Sequence, residues 1–286
     1  FERARNFQKR WDEIAPGHLG IDNCFHDGPV AHARNWAVGG VKYGTILASI
    51  RHIGTAADCF AAVDELVFSS GKVSMSELRK ALDNDFAENE PLRQLCLKAP
   101  KFGQDNEMAD SHARRILDSI TREIDQMSDI DKTVMFRCLT TDMGHIGEGA
   151  HLGATPDGRH AGQPVSDNTS PSHGSCTRGI TAMFRSLSKL PFNRINSGAL
   201  NVRMQRRMVE GKEGLYRLAA LLRTYFDMGG LQVQLSIADT DELRDAQLHP
   251  EAHRDLMVRI TGYSAVFIDM CKRAQDEIIQ RQEMEN

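Results

Sequence analysis

No apolar run in this chain approaches the roughly 20 residues that a helix needs to cross a bilayer, so a transmembrane helix is not expected. No long run of Lys or Arg is present, and the formal net charge is −4. Nucleic acid and anionic membrane are therefore poor partners. The six cysteines (Cys24, Cys59, Cys96, Cys138, Cys176 and Cys271) form no C-x-x-C pair and no Cys/His cluster at zinc spacing. No secretory signal opens the sequence, so reduced thiols and a cytoplasmic location are expected. There is no initiator Met: Phe1-Glu2-Arg3-Ala4-Arg5-Asn6-Phe7 reads like the middle of a helix. The chain is therefore expected to be a piece of a longer polypeptide. Internal repeats and low-complexity tracts are absent as well.

What is there suits a globular chain. Hydrophobic residues make up 41% of the 286 and charged residues 26%, enough for a sizeable core. A helix is expected over residues 1–15, then a turn-rich stretch over 20–55 broken by Gly28-Pro29 and Gly39-Gly40. Residues 56–68 read as an amphipathic helix. Ser74 and Glu77 fit a capping box that opens another. Further helices are expected over 107–127 and 215–227, the latter stopped by Gly229-Gly230, with a loop-rich region over 144–179.

The cleanest strand signal is Leu231, Val233, Leu235 and Ile237 alternating with Gln232, Gln234 and Ser236, which is period two. Asp239-Thr240-Asp241 caps a short helix ending at Leu248-His249-Pro250. A second strand, Met257 to Thr261, meets Gly262, and a tail helix is expected from Ser264 to Met284 with Phe267, Cys271, Ala274 and Ile278 on one face. Helices interleaved with strands make the fold class α/β.

Four segments, in order, resemble those of the glycyl radical enzymes, the pyruvate formate-lyase superfamily. The first is Ile21-Asp22-Asn23-Cys24 with Gly39-Gly40-Val41-Lys42-Tyr43. The second is Ala99-Pro100-Lys101-Phe102-Gly103-Gln104-Asp105, in which Gln104 stands where the family usually has Asn. The third is Gly153-Ala154-Thr155-Pro156-Asp157-Gly158-Arg159 with Gly162-Gln163-Pro164 and Ser170-Pro171. The fourth runs from His249-Pro250-Glu251 through Val258-Arg259-Ile260-Thr261-Gly262-Tyr263-Ser264-Ala265 to Asp276-Glu277-Ile278-Ile279. The Pro-Asp-Gly-Arg loop and the Gly-Tyr-Ser-Ala sequence are more similar to the dehydratase, decarboxylase and C–X lyase branches than to pyruvate formate-lyase proper.

The resemblance implies the C-terminal half of a ten-stranded α/β barrel with a central glycyl radical loop. Residues 1–150 would be barrel and 151–286 the glycine radical domain. It implies that Gly262 stores a radical, which a separate S-adenosylmethionine/iron–sulfur activating enzyme installs, with no other bound cofactor. A glycine suits this because a planar, delocalised Cα radical tolerates no side chain without strain. Met257, Val258 and Ile260 before it, and Tyr263, Val266 and Phe267 after it, would anchor the loop. The radical would pass to a cysteine, which the resemblance places upstream of this chain. Cys24 matches a turn cysteine of the family that is not that residue, and Cys271 reads as core packing.

The reaction implied is radical dehydration or C–X bond cleavage of a small polar substrate. Arylacetate decarboxylation and radical addition to fumarate are the alternatives within the family. An accessory protein that lends a glycyl loop to a partner is the alternative outside enzymes. A homodimer and an anaerobic cytoplasm are also implied.

Among other residues, Gln232, Gln234 and Ser236 line one face of the clean strand, and Asn196, Ser197 and Asn201 belong to the strand before it. A polar face of this kind can line a barrel lumen and touch substrate, or simply form buried hydrogen bonds. Asp157, Gly158 and Arg159 read as a turn with a local ion pair. His145, His151 and His160 share a loop region but no metal spacing, so no metal is expected. Arg203, Arg206 and Arg207 could meet an anionic substrate, although strand-end arginines usually face solvent.

Overall fold

In a computed structural model of the chain, the described residues are 20–36, 39–43, 45–131, 134–140, 143–260, 262–280 and 283–284. The helix expected over 1–15 and the residue Thr261 lie outside them. Contacts divide the chain into two units. One comprises Phe1–Ala48 and Glu123–Phe136; the other comprises Ser49–Arg122 and Arg137–Asn286.

In the first unit, Ile21–Phe25 forms a tight 3-10 turn and Pro29–His32 a short helix, α1. Pro29 sits at the start of α1, where its missing N–H costs nothing. His32 Nδ1 bonds the Gly40 carbonyl at 3.0 Å, and the Trp36 amide donates to Asn23 Oδ1 at 2.8 Å. The first family-like segment is thus folded on itself. Strand β1, Thr45–Ile50, leads out of the unit.

The second unit opens with α2, Ile53–Val63, which buries Ile53, Ala57, Ala61 and Ala62 on one face. The helix expected over 56–68 does not continue regularly: Asp64–Ser69 winds in wider π-type turns. Helix α3, Met75–Asp83, starts at Ser74, whose hydroxyl accepts from the Glu77 amide (3.1 Å) while Glu77 accepts from the Ser74 amide (2.8 Å). The capping box read from the sequence is therefore present. Helix α4, Glu90–Lys98, follows, and Leu66, Val73, Leu78, Ala81, Phe86, Leu92 and Cys96 close a first core. Helix α5, Glu107–Asp131, and strand β2, Val134–Leu139, each run across the boundary between the units. The region expected to be loop contains helix α6, Gly144–Ala150, before the irregular stretch up to α7, Gly179–Ser188.

The sheet of this unit is parallel. Cys138 and Leu139 of β2 pair with Ser197 and Gly198 of β3, Ser197–Met204. Strand β3 pairs along its length with β4, Gln232–Ile237, with Asn201 beside Gln234 and Arg203 beside Ser236. The crossover is α8, Gly211–Asp227. It stops where expected: Gly229 has φ +98°, a conformation that favours glycine, and a Cβ on Gly230 would lie 2.3 Å from the Tyr225 ring. Helix α9, Thr240–Leu248, follows β4.

The last segment differs from expectation. The second strand, β5, covers only Met257–Arg259, and Ser264–Val266 is not helix but strand β6, paired antiparallel with β5 through Val258 and Ala265. Gly262 therefore sits at a hairpin tip rather than between strand and helix. The tail helix α10 spans only Lys272–Gln280, and a two-residue strand, β7 (Glu283–Met284), pairs with β3. The cause is packing. Phe267 is fully buried with Val258, Ile260, Leu243 and Ile278, which folds the chain back before the helix can begin. Cys271 lies just outside α10 and is exposed, so it is not a core residue. Of the residues expected to anchor the Gly262 loop, Val258, Ile260 and Phe267 are buried, whereas Met257 and Tyr263 are more than half exposed.

Candidate active site

Gly262 lies on the turn closed by the Ile260 amide donating to the Tyr263 carbonyl at 3.0 Å. It is exposed, and among the described residues nothing stands within 4 Å of where a Cβ would project. Its φ also lies outside the left-handed region. Neither space nor backbone therefore explains a glycine here, in contrast to Gly229 and Gly230.

The base of the same hairpin reaches a cavity of about 50 Å³. Arg259 of β5 lines it, together with Asn201 and Arg203 of β3, Gln234 and Ser236 of β4, and Asp167, His173 and Cys176 from the irregular stretch. Parallel pairing of β3 with β4 puts Asn201 beside Gln234 and so aligns the two amides on one wall. The Gln234 Oε1 is buried without a hydrogen-bond partner among the described residues. A buried acceptor left open in this way costs free energy unless a ligand meets it.

Of the five substrate-contact residues expected from the sequence, Asn201, Gln234 and Ser236 come together on this cavity. Gln232 is exposed at the start of β4 and is not part of its wall. Asn196 is exposed too: its Oδ1 accepts from the Arg137 amide (2.9 Å) and its own amide donates to the Arg137 carbonyl (2.8 Å), extending the β2–β3 pairing. Arg203 is not a solvent-facing strand-end arginine: it is buried, donating to the Ile278 carbonyl and to Thr240 Oγ1, each at 3.0 Å. Arg206 is exposed beside Asp239 and Glu242.

The irregular segments between Leu152 and Arg178 are held by polar bonds rather than by apolar packing alone. Arg159 is buried, and it is not the local ion pair expected. Its guanidinium donates to the carbonyls of His160 (3.0 Å), Gln163 (2.6 Å), Leu152 and Gly153, which fixes the loop's curve. Asp157 accepts from Thr155 Oγ1 at 2.6 Å. Gln104, at the family's Asn position, holds Ser175 and Thr177 through its amide nitrogen and accepts from the Arg178 amide.

Asp58, on the inner face of α2, is fully buried and accepts from the Phe102 amide and Ser172 Oγ, both at 2.6 Å. Burial pushes its carboxyl up to about 7, against the opposing pull of Lys101 and these bonds. The sequence carried one signal for it: an acid beside Ala57, Ala61 and Ala62 on the buried side of an amphipathic helix.

The thiols near these segments are held neutral. Burial pushes Cys176 up to about 12 and Cys59 well above the ordinary range. His145, His151 and His160 do not converge. His151 is exposed at the end of α6, and His160 faces Asp85 at 3.1 Å. His145 instead meets Glu277 of α10, 2.8 Å away, a pairing across 132 residues that no local spacing could signal.

Comparison with known proteins agrees with this architecture. The Pyruvate formate lyase-like family matches residues 4–143, and the Glycine radical family matches residues 165–268. The chain is 33% identical over 264 residues to a trans-4-hydroxy-L-proline dehydratase of Clostridioides difficile, covering 92% of this chain and 33% of that protein. It is 37% identical over 239 residues to an isethionate sulfite-lyase of Desulfovibrio desulfuricans, covering 81% of this chain and 28% of that one. The B12-independent glycerol dehydratase of Clostridium butyricum, solved with glycerol bound, superposes with a TM-score of 0.84 at 36% identity, covering 90% of this chain and 33% of that one.

The chain belongs to the glycyl radical enzymes and carries part of their pyruvate formate lyase-like α/β barrel fold. Within the family its similarity runs to dehydratases and a sulfite-lyase. It spans about a third of the length of these curated relatives, a smaller share than the half expected from the sequence. No helix among the described residues is long and apolar enough to cross a membrane.

Proposed function

We propose that this chain is the radical-storing part of a glycyl radical dehydratase or C–X lyase that acts on a small polar substrate, and that Gly262 carries the radical. One observation carries the reading. Gly262 is a glycine that neither crowding nor backbone conformation among the described residues requires, at the tip of a hairpin inside the segment matched by the Glycine radical family. The requirement is then chemical: a Cα that can become planar and share its unpaired electron with both flanking peptide groups.

In this reading residues 1–150 belong to the barrel and 151–286 to the glycine radical domain. A radical S-adenosylmethionine, iron–sulfur activating enzyme removes the hydrogen from Gly262, and an exposed hairpin tip suits such an encounter. The radical then passes to a cysteine outside these 286 residues. Two thiols of the chain support this, since the half-buried Cys59 and the buried Cys176 sit in hydrogen-bonded structural positions. Asn201, Gln234 and Ser236 would bind substrate hydroxyl or similar polar groups, and the protein would work as a homodimer in an anaerobic cytoplasm.

The test is oxygen. After anaerobic activation, exposure to air should cut the chain at Gly262, and mass spectrometry should find the break there. An intact chain after a verified activation would overturn the assignment.

A further inference from the structure

Away from the hairpin tip, three ligand-capable side chains converge from three separate segments. His145 comes from α6, His173 from the stretch between Pro171 and α7, and Glu277 from α10. The Nε2 of His145 lies 2.8 Å from Glu277 Oε1, and the Nε2 of His173 lies 3.7 Å from the same oxygen. One donor atom from each of the three lies within 4.8 Å of the others. His145 and Glu277 are almost wholly buried, whereas the His173 side chain is 22% exposed.

We propose that His145, His173 and Glu277 form a binding site for one divalent first-row transition-metal ion. Two imidazoles and one carboxylate are the protein donor set of zinc sites that keep a fourth position for water or substrate, and of related sites for ferrous iron. Metal–ligand bonds of about 2.0–2.1 Å place tetrahedral ligand atoms about 3.3 Å apart. The separations of 2.8 and 3.7 Å from Glu277 Oε1 fall on either side of that value, and the two imidazole nitrogens, within 4.8 Å of each other, close toward it as the ion enters.

The surroundings also fit. Asp167 Oδ1 stands 3.8 Å from the Nδ1 of His145, on the far side of the ring from Glu277. A carboxylate there is what fixes the tautomer and orientation of a ligating histidine. Asp167 and His173 both line the cavity beneath the hairpin. A clamp between α6 and α10 needs only the 2.8 Å pair; His173 brings a third ligand atom, 3.7 Å from the same oxygen. None of this depends on Gly262 storing a radical.

The experiment uses cobalt(II) as the probe. The chain is stripped with a chelator and titrated anaerobically with Co²⁺, reading visible d–d absorption and bound metal per chain. One bound ion with bands of four- or five-coordinate geometry is expected. His173→Ala and Glu277→Gln should each weaken binding by about tenfold or more. His173 is partly exposed, so His173→Ala leaves the buried His145–Glu277 pair to hold the fold, which circular dichroism checks. Absence of stoichiometric binding by the unaltered chain overturns the proposal. So does binding that survives both substitutions, which would belong elsewhere, for example to the surface group His249, Asp245 and His253.

Discussion

His145 donates a hydrogen bond from Nε2 to Glu277 Oε1 over 2.8 Å, with both side chains 1% exposed. This buried contact, together with Arg273 donating to the Ile146 carbonyl at 2.9 Å, ties α6 to α10, and so ties the segment after the Gly262 hairpin to the body of its unit. A buried imidazole that loses its acceptor keeps its desolvation cost. Glu277→Ala should therefore lower stability by about 1–3 kcal/mol. Glu277→Gln, which keeps an acceptor, should cost less. Urea unfolding of the three chains measures the order.

Phe267 seats the hairpin. It is fully buried against Val258, Ile260 and Ile278, at the end of β6. Phe267→Ala should cost about 3–5 kcal/mol. Hydrogen exchange should rise first at β5 and β6, because those strands are three residues each and have few other anchors. Unchanged exchange across 257–266 would contradict this role for the side chain.

Asp58 makes stability depend on pH with a definite sign. Its folded-state carboxyl titrates near 7, above the unfolded value of about 3.9. Between those values the folded chain holds the extra proton, so stability falls as pH rises through that window, and the penalty is complete above it. The shift corresponds to about 4 kcal/mol at most. Asp58→Asn keeps an acceptor for the Phe102 amide and cannot ionise. The difference in stability between the Asp58→Asn variant and the unaltered chain should therefore move in favour of the variant from pH 4 to pH 8. A difference that is flat with pH would contradict the buried-carboxyl account.

Gln234 separates binding from folding. Its Oε1 is buried without a partner among the described residues, so Gln234→Leu should leave stability unchanged or slightly raised. If the amide binds substrate, the same change should raise KM in the active enzyme. A loss of stability with unchanged KM would make Gln234 a structural residue instead.

Much of this was legible in the sequence wherever the signal was local. The Ser74–Glu77 capping box, the Gly229-Gly230 stop and the alternation along β4 each follow from a few adjacent residues. The motif around Gly262 was legible in the same way, by resemblance. The hairpin was not, because two three-residue strands are too short to show a period, and Ser264-Ala265-Val266-Phe267 followed by a helical pattern reads as one helix. What bends it is the burial of Phe267, a tertiary effect. His145, His173 and Glu277 were invisible for a related reason: their meeting depends on the packing of α6 and α10, not on any spacing along the chain. Arg159 was misread as one half of an ion pair because sequence shows a neighbouring Asp157 but not the ring of carbonyls that the loop turns inward.

The central claim is that Gly262 holds the unpaired electron. The direct measurement is electron paramagnetic resonance of the anaerobically activated protein, unaltered and as Gly262→Ala. A glycyl radical retains one α-hydrogen, so the unaltered protein should give a doublet that collapses when the chain is made with α-deuterated glycine, and Gly262→Ala should give no such signal. A doublet that persists in Gly262→Ala would place the radical elsewhere and contradict the account.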